Sequence, residues 1–138
     1  MMNMVATDTT FEPDRPLKKP LILLVEADPD SSDFLKYFFE LKQYEVLVVK
    51  EVAHALAQIK VTHPDLLLVD IHPSTADEET LQKLQDVSQG HNIPVVLTSC
   101  DARPSFQEQV KMAGYKELFV KPIEIEQLEH TVTCYLQG

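Results

Sequence analysis

Four short apolar runs in this chain end on residues able to do chemistry. Leu21 to Val25 leads into Glu26, Ala27 and Asp28; Leu66 to Val69 into Asp70; Val95 to Leu97 into Thr98 and Ser99; and Leu118 to Val120 into Lys121 and Pro122. Side by side in one sheet, these runs would deliver acid, acid, hydroxyl and ammonium to a single edge. Clustered carboxylates attract a hard divalent cation such as Mg2+, and a lysine beside a hydroxyl stabilises an oxyanion or the oxygens of a phosphoryl group. Phosphoryl transfer to a carboxylate is a chemistry this set supports.

The elements that must hold these residues are legible from hydrophobic period. The uninterrupted runs at Leu21 and Leu66 have strand length and suit central strands buried on both faces, and Tyr44 to Val49 adds another strand, second in chain order. Between and after the strands, apolar residues recur at three and four: Leu35, Phe38, Phe39 and Leu41; Val52, Ala55, Leu56 and Ile59; Leu81, Leu84 and Val87; Phe106, Val110 and Ala113; Ile125, Leu128, Val132 and Leu136. Asp28 before Pro29 suits a cap on the first helix, and Asp77, Glu78 and Glu79 suit the start of the third. Ser105 with Glu108 can form a capping box, and Gly114 can stop that helix. Strict alternation of β and α elements predicts a doubly wound parallel five-stranded sheet in a three-layer α/β/α sandwich, with the ligand site outside the carboxyl ends of the strands.

Composition narrows the function classes. The 138 residues suit one domain, and 44% hydrophobic with 25% charged residues is ordinary for a soluble globular chain. No apolar run approaches the roughly 18 to 20 residues of a membrane span, so no membrane association is expected. A net charge of -10 argues against nucleic acid as a partner. Cys100 and Cys134 are the only cysteines; they form no CxxC or zinc spacing and read as buried or half-buried thiols. His54, His63, His91 and His130 are scattered without ligand spacing, and the Phe34, Tyr37, Phe38, Phe39 cluster reads as core packing plus a surface patch. No export signal is present, which makes the cytoplasm the expected compartment. Residues 1 to 19, rich in Thr, Pro and mixed charge, read as a mobile tail ahead of a domain at 20 to 138.

From about Pro20 to Leu136 the chain resembles a receiver domain of the two-component response-regulator family. LILLVEADPD resembles that family's first strand and acidic pair, PDLLLVDIHP its phosphoacceptor strand, IPVVLTS its switch-hydroxyl strand, and LFVKPIEIEQL its lysine strand. The resemblance implies a flavodoxin-like (βα)5 fold with no enzymatic turnover. It makes Asp70 the phosphoacceptor, Glu26, Asp70 and the backbone carbonyl of His72 the Mg2+ ligands, Thr98 the hydroxyl that follows the phosphoryl group, and Lys121 its ion-pair partner. The implied partners are a sensor histidine kinase or a histidine phosphotransfer protein, and a downstream effector docking around the fourth helix, fifth strand and fifth helix. With the chain ending at Gly138, a stand-alone receiver without an output domain is expected.

The chain departs from the family's pattern at four places. Ala27 stands where an acid normally touches the metal, which weakens the expected Mg2+ site. Ile71, His72, Pro73 and Ser74 make a turn one residue short and without glycine, which bears on the His72 carbonyl. Leu118 stands where an aromatic switch residue is usual, and Gln43 where glycine often ends the first helix. These departures support an alternative, a pseudo-receiver acting as a phosphorylation-independent interaction module, in which Glu26 and Lys121 form a structural ion pair. A haloacid-dehalogenase-type phosphohydrolase also uses a strand-end aspartate, but its second acid would fall at His72 and no cap domain fits in the length. A P-loop is excluded by the absence of its glycine-lysine run.

Overall fold

The structure is a computed structural model in which residues 18–74 and 76–137 are described. The expected tail therefore falls, up to residue 17, outside the described residues.

Five strands alternate with five helices: β1 Leu21–Val25, α1 Pro29–Leu41, β2 Glu45–Val49, α2 Val52–Thr62, β3 Leu66–Asp70, α3 Glu78–His91, β4 Val95–Ser99, α4 Pro104–Met112, β5 Leu118–Val120 and α5 Ile125–Gln137. All pair in parallel in the order β2-β1-β3-β4-β5. This is the doubly wound arrangement expected, with its switch point between β1 and β3.

Period-two alternation sorts the strand side chains onto two faces. Leu23, Val25, Leu67, Val69 and Leu97 pack against Ala55 and Ile59 of α2, Leu81 and Leu84 of α3, and Phe106 and Val110 of α4. Ile22, Leu24, Leu66, Leu68 and Val96 pack against Leu35 and Phe39 of α1 and Leu128 and Val132 of α5. Leucines buried this completely contribute about 1.5–3 kcal/mol each, so the central strands form a rigid frame for whatever follows their carboxyl ends.

Helix ends explain how the loops begin. The Asp28 carboxylate accepts the amide of Ser31, and Asp77 accepts that of Thr80; Pro29 then sits where its missing amide costs nothing. The chain turns left-handed after α1 at Gln43 (φ 73°), after α2 at His63 and after α3 at Asn92. At Gly114 (φ 97°) the left-handed backbone would strain any residue with a Cβ, and a Cβ 2.7 Å from Nε2 of Gln85 would also push that side chain off the Ala113 carbonyl, so glycine is favoured there.

Several local expectations are corrected. The Ser105–Glu108 capping box does not form: Pro104 starts α4 earlier, Arg103 is the cap residue, and Ser105 already lies inside the first turn. Cys100 and Cys134 are exposed rather than buried. Cys100 follows β4 where the sheet edge meets solvent, and Cys134 lies on the outer face of α5, its Sγ 3.7 Å from His130 Nε2. Leu41 is exposed, and Tyr44 precedes β2 rather than opening it.

Candidate functional site

The register explains why residues distant in sequence meet. Asp70 pairs with Thr98 across β3 and β4, and Glu26 follows Val25, which is paired with Val69, so three strand ends arrive at one level. Lys121 reaches the same edge from the end of β5, its amide bonded to the Ser99 carbonyl. Glu26, Asp70 and Thr98 are all buried, an unusual position for two carboxylates unless something compensates them.

The compensation is almost entirely on one side of Asp70. Its Oδ1 accepts the Thr98 hydroxyl at 2.9 Å and lies 3.0 Å from the Lys121 ammonium. The same ammonium donates to Glu26 Oε1 at 3.1 Å, and Glu26 Oε2 accepts the amide of Asp28 at 3.2 Å. Partial burial opposes the lysine charge, but the hydrogen bonds to Asp70 and Glu26, together with their charges, outweigh it and hold the ammonium above its ordinary range. Asp70 Oδ2, by contrast, is buried and accepts no hydrogen bond. His72 Nε2 lies 3.2 Å from it, an ion-pair distance if the imidazole is protonated.

The side of Asp70 away from Lys121 and Thr98 opens onto a groove lined by Val25, Ala27, Lys50, Glu51, Val52, Ala53, Asp70, His72 and Thr80. Ala27 is exposed and contributes only a methyl group there. Lys50 and Glu51 are the residues that strand-end reasoning missed. The signal was available, since Lys50 directly follows β2 just as Glu26 follows β1.

The other expected site residues fall as follows. Asp28 caps α1, and its carboxyl is lowered first by the Ser31 hydroxyl and then by the Ser31 amide. Leu118 is half-buried and packs against the α4-side core. Beyond Thr98, the Ser99 hydroxyl accepts the Asp101 amide, and Asp101 forms a bidentate pair with Arg103 that shapes the loop before α4.

A divalent cation does not fit this donor set well. Among the described residues no three His, Cys, Asp or Glu side chains are grouped to hold a metal. Both carboxylates on hand, Glu26 and Asp70, already share the Lys121 ammonium. The backbone carbonyl of His72 accepts the Ala76 amide at 2.7 Å, which leaves it one lone pair for any other partner.

Residues 22–133 match the response regulator receiver domain family. The polar-differentiation response regulator DivK of Brucella ovis is 26% identical over 116 residues, covering 83% of this chain and 94% of its own. Among solved structures, the signal receiver domain of a signal transduction histidine kinase from Syntrophus aciditrophicus superposes with a TM-score of 0.75 at 25% identity, covering 86% of this chain and 91% of that one. The chemotaxis response regulator CheY4 of Vibrio cholerae superposes with a TM-score of 0.72 at 21% identity, covering 86% and 100%, a likeness of fold. Receiver domains generally bind Mg2+ with acidic residues and interact with histidine kinases and effectors. No helix among the described residues is long and apolar enough to cross a membrane. With the family match spanning most of the chain and the strand-end residues in register, this protein belongs to the response regulator receiver domain family of two-component signalling.

Proposed function

We propose that Asp70 receives a phosphoryl group from a phosphohistidine on a sensor kinase or histidine phosphotransfer protein, and that the modified domain signals by changed affinity for an effector protein. The observation that carries this reading is the asymmetry of Asp70: Oδ1 is held by Thr98 and Lys121, while the buried Oδ2 accepts no hydrogen bond on a side chain that lines an open groove. In the transfer, Oδ2 attacks phosphorus, the P–N bond breaks, and the imidazole nitrogen leaves with the bonding pair. The product is an acyl phosphate carrying roughly -1.5 to -2 charge, which strengthens the pull on Lys121 and gives the Thr98 hydroxyl a new acceptor. The protein is then a cytoplasmic switch without turnover of its own.

Mg2+ is inferred to bind weakly through Glu26 and Asp70, because Ala27 supplies no carboxylate and the His72 carbonyl already accepts the Ala76 amide. The second reading, an interaction module indifferent to phosphorylation, draws its support from the same Ala27 and from the ion pair of Lys121 with Glu26.

Intact-mass measurement after incubation with a phosphohistidine donor tests the main reading. The expected result is a gain of about 80 Da that maps to Asp70 and is absent in Asp70→Asn. An unchanged wild-type mass with phosphohistidine donors and with acetyl phosphate alike leaves the interaction module standing instead.

A further inference from the structure

The groove beside Asp70 has lost a negative charge at Ala27, yet it retains a positive one. Lys50 lines it together with Ala27, Asp70 and His72. The register places Lys50 at this edge: Val49 pairs with Val25, and the amide of Glu26 donates to the Val49 carbonyl, so the residues that follow, Lys50 and Glu26, leave the sheet side by side. Adjacent parallel strands lie about 4.8 Å apart, which puts the Lys50 backbone roughly two strand spacings from Asp70, within reach of a lysine side chain and a bound phosphoryl group together. Lys50 is exposed and forms no ion pair with the described residues, whereas Lys121 is already shared by two carboxylates.

A second source of positive potential opens into the same groove. Val52 and Ala53, the first two residues of the eleven-residue helix α2, line it, and the cap residue Glu51 places no side-chain oxygen on the amides of that first turn. Such amides, with the helix dipole behind them, favour an anion. The Glu51 carboxylate lines the groove as Asp70 does and opposes this, which leaves Lys50 as the ammonium that offsets them along its wall. Asp70 Oδ2, buried and accepting no hydrogen bond although His72 Nε2 stands 3.2 Å from it, is an independent indication that this side of the residue is built to take something.

We propose that Lys50, aided by the first-turn amides of α2, holds the oxygens of the phosphoryl group on Asp70, so that this receiver is phosphorylated without dependence on a divalent cation. The inference rests on the reading of Asp70 as phosphoacceptor. With acetyl phosphate as donor, Oδ2 bonds to phosphorus while acetate leaves with the electron pair. Lys50 stabilises charge on the transferring group and exchanges no proton. Where an acid at position 27 would recruit a metal, a methyl group leaves room for an ammonium.

The test compares wild type, Lys50→Ala, Lys50→Gln and Lys50→Arg, each incubated with acetyl phosphate in EDTA and, separately, in Mg2+, with labelling rates read by intact mass and folding checked by circular dichroism. Wild type is expected to label in EDTA at close to its rate in Mg2+. Lys50→Ala and Lys50→Gln should slow labelling in EDTA by about ten-fold or more, with Lys50→Arg retaining most of the rate. The use of two neutral variants guards against a fold defect in one of them. Labelling of wild type only in Mg2+, or neutral variants that label in EDTA as wild type does, would overturn the role of Lys50 and leave Asp70 as acceptor. Absence of label from wild type in both media overturns the role of Lys50 and removes small-molecule support for Asp70; transfer from a phosphohistidine donor then decides the acceptor separately.

Discussion

The two sides of Asp70 are built differently. Toward β4 and β5, Oδ1 is closed in by a hydroxyl and an ammonium, and the ammonium is pinned in turn by Glu26. On the other side, Oδ2 accepts no hydrogen bond, His72 Nε2 stands 3.2 Å from it, and Ala27 and Lys50 line the same groove. Groups on the closed side are chained, Thr98 to Asp70, Asp70 to Lys121 and Lys121 to Glu26, so loss of the ammonium leaves two buried carboxylates without their shared partner charge. On the open side Oδ2 accepts no hydrogen bond, and the exposed residues Ala27 and Lys50 can change what the site recruits without unsettling the fold. The contrast locates stability on one side of a single carboxylate and chemical choice on the other.

The largest expected effect is on the closed side. From sequence, Lys121 is expected to matter for signalling more than for stability; its place between two buried carboxylates adds a structural role. Lys121→Ala should lower unfolding stability by about 1–3 kcal/mol, less than for a fully buried pair because the ammonium is partly solvated. Urea denaturation measures this. The same variant should weaken phosphorylation-dependent effector binding, and a variant as stable as wild type would show that the closed side is not bonded as described.

Next comes the open side. Ala27→Asp restores a carboxylate beside Asp70 and should raise Mg2+ affinity by on the order of ten-fold, read by calorimetry, while speeding labelling of Asp70 in Mg2+. It should also reduce labelling in EDTA, since the new charge competes for Lys50. Equal Mg2+ affinity in both proteins would mean that some other group already completes the metal site and that the two sides differ less than their bonding suggests.

Alkaline pH offers a way to weaken the closed side without mutation. The Lys121 ammonium is held above its ordinary range in the fold, so its stabilisation is complete below about pH 10.4, the unfolded value, and is lost as pH rises through the folded value. Tyr115 acts in the same direction: burial, and secondarily Asp86, push its phenol up, and its hydroxyl donates to the Leu81 carbonyl at 2.7 Å. Variants separate the two. In urea melts between pH 9 and 11, Tyr115→Phe should retain part of the alkaline loss and Lys121→Met should retain the other part. If Lys121→Met loses as much stability as wild type over that interval, the lysine cluster contributes nothing to it.

Much of this was legible in sequence because buried parallel strands are written as uninterrupted apolar runs, so that the residue after each run marks the sheet edge. Glu26, Asp70, Thr98 and Lys121 were found in that way. Lys50 obeys the same rule and was passed over because β2 lies at an edge of the sheet and its run, from Glu45 to Val49, is only partly buried. What could not be read were features set by exact rotation or by one competing residue. Pro104 overrides the Ser105 cap, the turn of α5 exposes Cys134, and the engagement of the His72 carbonyl by Ala76 depends on a loop with no periodic signal.

The smallest expected effect lies at the opposite end of the sheet and serves as a control on the comparison. Gln43 ends α1 with φ 73°, a left-handed conformation in which a side chain with a Cβ is strained and glycine is not. Its amide donates to the Glu40 carbonyl, so the turn itself is held by the backbone and survives the loss of the side chain. Gln43→Gly should therefore stabilise the fold by about 0.5–1 kcal/mol, the relief of strain exceeding the added freedom of the unfolded chain. Because α1 runs antiparallel to the strands, this position is remote from Asp70, and labelling rates in EDTA and in Mg2+ should stay those of wild type. A variant that gains stability but changes its labelling would show that the two sides of Asp70 respond to the frame as a whole, and that the division between a structural side and a chemical side is not local.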